Sequence, residues 1–351
     1  MKHLVVRCIR DRDWRCRAVS SLGLALLIAV VIYGRIALSG APTSTRLVVY
    51  AFSTQEEVLT QSIFPAFEEA WKAETGQDLT IEGVFGPSGT LAGQINLGAP
   101  ADVALLSNIQ HVTHLKVGRR VREDNNPVVI GHTPMVIVSR PGNPHGITSF
   151  SDLAQPGLKL LHADPRTSGA GQWAVLAEYG SGLLESGERP AAEAQLRAIW
   201  QNVRLLGASA RATMTLFELG AGDAFVTYEH DALLAQERGA QLEIVVPSRT
   251  IVARHVAVIV DDNVMPAELP MAQAFVQYLS SEAGQQALSR YHLRPADLES
   301  DQSPAIPQPI TVDDLGGWSQ AYTQLVEGMW QTEIEPRLHL ESPPGVLGTG
   351  E

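Results

Sequence analysis

Residues 46–106 read RLVVYAFSTQEEVLTQSIFPAFEEAWKAETGQDLTIEGVFGPSGTLAGQINLGAPADVALL, and their pattern decides the fold. Residues 46–51 are a short apolar run of β type. Glu56–Thr75 has helical spacing, with Val58, Leu59, Ile63, Phe67, Ala70 and Trp71 on one side. Pro65 predicts a bend or break in that helix, and Gly76 its end. Leu79–Phe85 reads as a second strand, Gly86-Pro87-Ser88-Gly89 as a turn, Thr90–Leu97 as a helix and Asp102–Leu106 as a third strand. This β-α-β-α-β rhythm predicts a parallel sheet covered by helices.

Further along, Val128–Val138 and Ile251–Val260 are two longer apolar runs that bracket a middle section. That section repeats the rhythm, with strands at Leu158–His162, Val203–Leu206, Ala224–Thr227 and Ile244–Val246. Its helices fall at Gln172–Tyr179 and Met214–Leu219. Met271–Arg290 reads as one strong helix. Two α/β units joined by two crossing strands form two lobes with a cleft between them. The carboxyl ends of such strands are the usual place for a ligand. The expected division is a leader and linker at 1–45, a first lobe of 46–131 plus 256–300, and a second lobe of 132–255. Hinge crossings fall near 132 and 255, and a Pro- and Gly-richer segment at 301–351 is expected to wrap the surface.

The 351 residues are 18% charged and 45% hydrophobic, an ordinary globular composition that excludes collagen-like, coiled-coil and disordered chains. The net charge of −12 argues against a nucleic-acid partner, which needs a basic surface. The charge is uneven. Residues 1–46 hold eight Lys and Arg against Asp11 and Asp13, or +6, and the remaining 18 basic and 36 acidic residues give −18 beyond.

Both cysteines, Cys8 and Cys16, fall in the leader, so the globular part has no disulfide framework and no cysteine-based metal site. Leu22–Tyr33 is an uncharged, almost wholly apolar run that extends to Leu38 across Gly34 and Arg35. The basic segment before it is a cytoplasm-retention signal. Two readings fit. One is a cleaved signal peptide ending near Ser39-Gly40-Ala41, where Pro42 is a poor following residue. The other is an uncleaved anchor over 22–38, at the short end of a membrane span. Either exports the rest of the chain to the periplasmic or extracytoplasmic side.

Three segments share one physical design. Gly86-Pro87-Ser88-Gly89-Thr90, Asp164–Gly171 and Ala208–Thr213 each close a strand and open a helix. Each presents unpaired backbone N–H groups beside a hydroxyl, with small residues that let a ligand approach. The helix dipole adds a favourable field for negative charge. Taken singly, each such Ser or Thr reads more simply as a helix cap.

In this order the turns resemble the periplasmic sulfate-binding proteins of ABC transporters. Asp164–Trp173 is similar to that family's Asn-Pro-Lys-Ser-Ser-Gly-Gly-x-x-Trp segment. Gly222–Ala235 is similar to its Gly-Asp…Trp-Glu-Asn-Glu-Ala-Leu-Leu-Ala segment, and Ile244–Ser248 with Ile251 to its Ile-Val-x-Pro-Ser-x-x-Ile. Gly316-Gly317-Trp318 matches its C-terminal Gly-Gly-Trp. Phe85–Val103 looks more like the molybdate-binding relatives. The resemblance covers about 46–330.

It implies a type II periplasmic-binding-protein-like α/β fold, each lobe a mixed, mainly parallel sheet flanked by helices. It implies a monomeric, non-catalytic binder that needs no cofactor or metal and delivers an inorganic oxyanion to ABC permease subunits. The ligand shell it implies is Ser88, then Ser168, Gly169 and Ala170, then Ala210. Tyr228 stands where the family has a Trp, and Ser53 stands near a first-strand donor whose Asp-x-Thr-Arg-Glu motif is missing here. Sulfate and molybdate carry no proton at neutral pH, so a shell of donors alone satisfies them, and sulfate or thiosulfate is the expected ligand. Molybdate or tungstate come next. Hydrogen phosphate, which needs an acceptor, comes last.

Other residues carry weaker signals. Glu229-His230-Asp231 lacks metal-motif spacing and reads as solvated or capping. His111 and His114 read as an exposed helix face. Gly86-x-Ser88-Gly89 approaches but misses a hydrolase nucleophile elbow, which leaves a secreted serine hydrolase as an alternative. An anchored sensor or scaffold is another. Arg166 and Arg211 either close the cleft or form ion pairs, and Trp173 and Trp318 read as core or lobe packing.

Overall fold

The computed structural model describes residues 45–341. The leader's apolar run and both cysteines lie outside the described residues. Among the described residues no helix is long and apolar enough to cross a membrane.

The first lobe begins with β1 (Thr45–Phe52), which pairs in parallel with β2 (Leu79–Gly86) on one side and β3 (Val103–Leu106) on the other. A π-helical turn, Leu59–Ile63, leads into α1 (Phe64–Thr75). Pro65 is accommodated there. It sits in the first turn of α1, directly after the widened turn, where a residue without an N–H is tolerated. Gly76 closes α1 in a left-handed conformation, φ 71°, with its N–H donating to the Lys72 carbonyl. Next come α2 (Ser88–Asn96) and α3 (Ile109–Val117). Buried residues cover both faces of this sheet. Leu47, Val49 and Ala51 pack against α1, and Val48 and Tyr50 pack against α2 and α3.

The strand β4 (Val128–Ser139) leaves this lobe and enters the second. The second lobe holds β5 (Leu160–Ala163), α4 (Gly169–Ser186), α5 (Arg189–Gln201), β6 (Val203–Gly207), α6 (Ala210–Glu218), β7 (Ala224–Tyr228), α7 (Glu229–Glu237) and β8 (Glu243–Val245). Strand β5 lies parallel between β6 and β7. The strand β9 (Arg249–Ile259) then returns antiparallel to β4 and reaches β3. Residues 128–134 of β4 pair with β9, and residues 135–139 pair with β7. These two strands are the only strand pairing that joins the lobes among the described residues, with His132 opposite Arg254 at the crossing.

The expected single helix at 271–290 is two, α8 (Leu269–Ser280) and α9 (Glu282–Arg290). Ser281 breaks it by capping α9, its Oγ accepting from the Gly284 N–H at 3.2 Å. The segment beyond 301 does more than wrap the surface. It supplies β10 (Gln308–Ile310), which pairs with β9, and α10 (Gly317–Ala321). A π-helical stretch, Tyr322–Ile334, follows and buries Leu325, Met329 and Trp330 in the core of the second lobe. Its apolar residues recur at helical spacing, which compositional reading by Pro and Gly passes over.

Candidate functional site

Strand ends from both lobes meet at one small cavity of about 10 Å³. That is below the roughly 300–1,000 Å³ of sites for organic ligands, so it suits a small ion. All seven residues expected from the sequence line it. Ser53 lies just past β1, and Ser88 opens α2. Ser168, Gly169 and Ala170 open α4, Ala210 opens α6, and Tyr228 ends β7. None of the lining residues is charged.

The backbone explains the convergence. In α4, Ser168 is the N-cap, and its Oγ accepts from the Ala170 N–H at 3.2 Å. In α6 the cap is Ser209, whose Oγ accepts from the Ala212 N–H at 3.1 Å. The cap reading is therefore correct for these turns. It is also compatible with a site, because a cap satisfies one first-turn donor and leaves others unpaired within the helix. The first lobe differs. There Pro87 is the cap, α2 begins at Ser88 rather than Thr90, and the serine side chain is free of capping. The Ser88 Oγ instead accepts the Ser107 N–H at 3.0 Å and is hydrogen-bonded to His111 Nδ1 at 2.8 Å.

Sequence reasoning missed Ser107. It follows β3 directly and precedes Asn108, the N-cap of α3. This is the same strand-serine-helix design as the other turns, hidden because α3 contains two histidines and β-branched residues. The Ser107 Oγ and the Tyr228 Oη are both buried without a hydrogen-bond partner. The two hydroxyls are neighbours, and Ser107 offsets only part of the effect of burial on the phenol. Burial raises the Tyr228 pKa, so the phenol keeps its proton and remains a donor.

Behind the cavity, Tyr228 stacks on His230, and His255 stacks on Phe52 with ring centroids 4.5 Å apart. Burial pushes His230 down to about 3, and His255 well below its ordinary value, so both rings are neutral. The reading of Glu229-His230-Asp231 as solvated is corrected: all three are buried. Glu229 accepts two hydrogen bonds from Arg294 at 2.7 and 2.8 Å, and His230 lies between Thr133 and Thr54. Both carboxylates still sit in the first turn of α7, where the dipole favours them. The exposed-face reading of His111 is likewise corrected, since the ring is 1% exposed. Arg166 pairs with Asp164 and Glu335 within the second lobe.

Several contacts tie the lobes together over the cavity. Trp173 Nε1 donates to the Ser107 carbonyl at 2.8 Å, and Asn108 Nδ2 donates to Gln172 Oε1 at 2.9 Å. The Gly89 N–H donates to the Thr167 carbonyl at 2.9 Å. Trp173 is thus a lobe-packing residue, stacked edge-on against Trp318. The Ser88–His111 pair lacks the acid that would orient a catalytic imidazole, since His111 Nε2 has no partner.

Two α/β lobes joined by crossing strands, closed on a small uncharged cavity, define a type II solute-binding protein. The family model "Bacterial extracellular solute-binding protein" matches residues 47–294. The chain belongs to that family, which is one of binders rather than enzymes. It is 33% identical to the sulfate-binding protein of Salmonella typhimurium, over 73% of this chain and 82% of the relative. It is 30% identical to the thiosulfate-binding protein of Pseudomonas aeruginosa, over 75% and 84%. Among solved structures, the sulfate-binding protein SubI of Mycobacterium tuberculosis superposes with a TM-score of 0.73 at 24% identity, covering 80% of this chain and 99% of that one.

Proposed function

We propose that the chain captures a tetrahedral oxyanion, sulfate or thiosulfate, outside the cytoplasmic membrane and delivers it to the permease of an ABC transporter. The observation that carries this reading is the convergence of three helix starts on one small cavity with no charged lining residue. A dianion is held there by aimed N–H and O–H dipoles, each aligned before the ligand arrives. Ser88, Ser107 and Tyr228 add hydroxyl donors to the backbone groups of Ser53, Gly169 and Ala210, and the Ala170 N–H is shared between the ligand and its Ser168 cap. No carboxylate lines the cavity to accept a proton, which ranks hydrogen phosphate below sulfate. The named ligands of the relatives agree with this ranking.

The crossing of β4 and β9 near His132 and His255 is the hinge in this reading. Opening there separates Ser88 and Ser107 from Gly169 and Ala210 and releases the ion. The leader, cleaved or retained as an anchor, exports the binder to the permease.

Isothermal titration of the full chain with sulfate, thiosulfate, molybdate and phosphate tests the reading. Sulfate or thiosulfate is expected to bind tightest. Absence of binding by all four at millimolar concentration would overturn it.

A further inference from the structure

We infer that His111 is a positioning residue that turns the Ser88 hydroxyl into an obligate donor, so that the cavity selects oxyanions carrying no proton at that contact. This inference rests on the oxyanion reading above. A serine oxygen has one proton to give and two lone pairs to accept with. One lone pair of Ser88 Oγ is taken by the Ser107 N–H at 3.0 Å. The fate of the second depends on which nitrogen of His111 carries hydrogen.

Burial keeps the ring neutral, pushing its pKa down to about 3, so it holds a single N–H. The Nε2 atom is buried with no partner. It is walled by Gly89, where a Cβ would lie 3.3 Å from it. A hydrogen on Nε2 would therefore be a buried, unsatisfied donor. It would also force Ser88 to give its only proton to Nδ1, leaving an oxygen lone pair facing the ligand. A hydrogen on Nδ1 leaves only a bare acceptor at Nε2, the cheaper of the two orphans. The Nδ1–H then donates to Ser88 Oγ at 2.8 Å. Both lone pairs of Ser88 are filled, and its proton has only the cavity to point into.

The His111 ring is itself held in register. The His111 main-chain N–H donates to Asn108 Oδ1 at 3.1 Å, which fixes the backbone that carries the ring, and Asn108 Nδ2 reaches across to Gln172. An oxyanion that presents a bare oxygen to Ser88 is met by a donor. Hydrogen phosphate, presenting P–OH there, finds no acceptor.

Two measurements on the full chain test this. Nitrogen-15 spectra of histidine-labelled protein, with the His111 signals assigned by their loss in His111→Asn, are expected to show hydrogen on Nδ1; hydrogen on Nε2 would overturn the inference whatever the ligand. Sulfate titration is the second. His111→Leu is expected to weaken sulfate binding about tenfold, as loss of one aligned hydrogen bond to a charged ligand does. His111→Asn, whose amide nitrogen can donate in place of Nδ1, is expected to recover most of that loss. Ser88→Ala with His111→Leu is expected to bind no worse than Ser88→Ala alone, because His111 acts through Ser88. Equal cost of His111→Leu in both backgrounds would show a merely structural role and overturn the inference. If wild type binds no sulfate, the oxyanion reading fails, while the tautomer result is read independently.

Discussion

Glu57 of the first lobe accepts two hydrogen bonds, 2.9 and 3.1 Å long, from Arg211 of the second. Arg238 of the second lobe pairs with the same carboxylate. Arg211 is the second residue of α6, whose start lines the cavity, so this clamp holds an anion-facing helix against the opposite lobe. It resolves the sequence's open choice for Arg211, which closes the cleft by forming an ion pair.

Breaking that clamp weakens ligand binding without touching the cavity. Glu57→Gln is expected to lower sulfate affinity about tenfold, since closure must then be driven by the ligand alone. Burial raises the Glu57 pKa, but the two guanidiniums outweigh it and hold the carboxyl at about 2 against an ordinary 4.5. The clamp is therefore complete above pH 4.5 and is lost as pH falls through 2. Titration of wild type should show constant affinity from pH 8 to 5 and a decline below about 4. A decline of equal size in Glu57→Gln would refute the role of this carboxylate.

At Gly169 the lobes approach too closely to admit a side chain. A Cβ there would lie 1.7 Å from Ser107 Oγ of the opposite lobe. Gly169→Ala should therefore block closure and abolish sulfate binding, yet leave each lobe's core intact. The expected result is an unchanged thermal midpoint with a larger radius of gyration by small-angle scattering. Retained binding would show that the lobes meet differently.

Much of this arrangement was legible in the sequence because its signals are local. Apolar runs such as residues 46–51 and 128–138 need no partner to be recognised, and Ser168-Gly169-Ala170 announces a helix start by composition. What escaped depends on long-range pairing. His111 looks like a surface residue at helical spacing until β3 and α3 bring it under Ser88, 23 positions away. Ser107 sits before the Asn108 cap, but it lacks the glycines and alanines that mark the other helix starts. Glu229 looks solvated until Arg294, 65 positions later, removes it from water. Charged and polar residues are misread when their partner lies far along the chain.

The Glu229–Arg294 pair makes a separate stability prediction. Both side chains are nearly buried and joined by two hydrogen bonds, which fix the start of α7 to the segment after α9. Removing Glu229 leaves the buried Arg294 with only Asp301, 3.6 Å away, as a counter-charge. Glu229→Gln is expected to cost about 3 kcal/mol of unfolding free energy. Denaturant unfolding measures it, and a change under about 0.5 kcal/mol would mean that the pair is solvated.

Asp231 makes the opposite prediction. Its side chain is 4% exposed, and Oδ2 has no hydrogen-bond partner. Burial pushes its pKa up to about 6, against the pull of Arg211 and Arg238. The unfolded chain ionises near 3.8. Between these values the folded protein holds a proton that the unfolded chain has lost, so stability falls as pH rises from about 4 to 6. Above 6 the folded state carries a buried, half-satisfied carboxylate. The shift corresponds to about 3 kcal/mol, an upper bound on what neutralising the group restores. Asp231→Asn is therefore expected to be more stable than wild type at pH 8 and indistinguishable from it below pH 4. Paired denaturant titrations at those two pH values check the sign. A variant less stable at pH 8 would mean that the attraction of Arg211 and Arg238 exceeds the cost of burial.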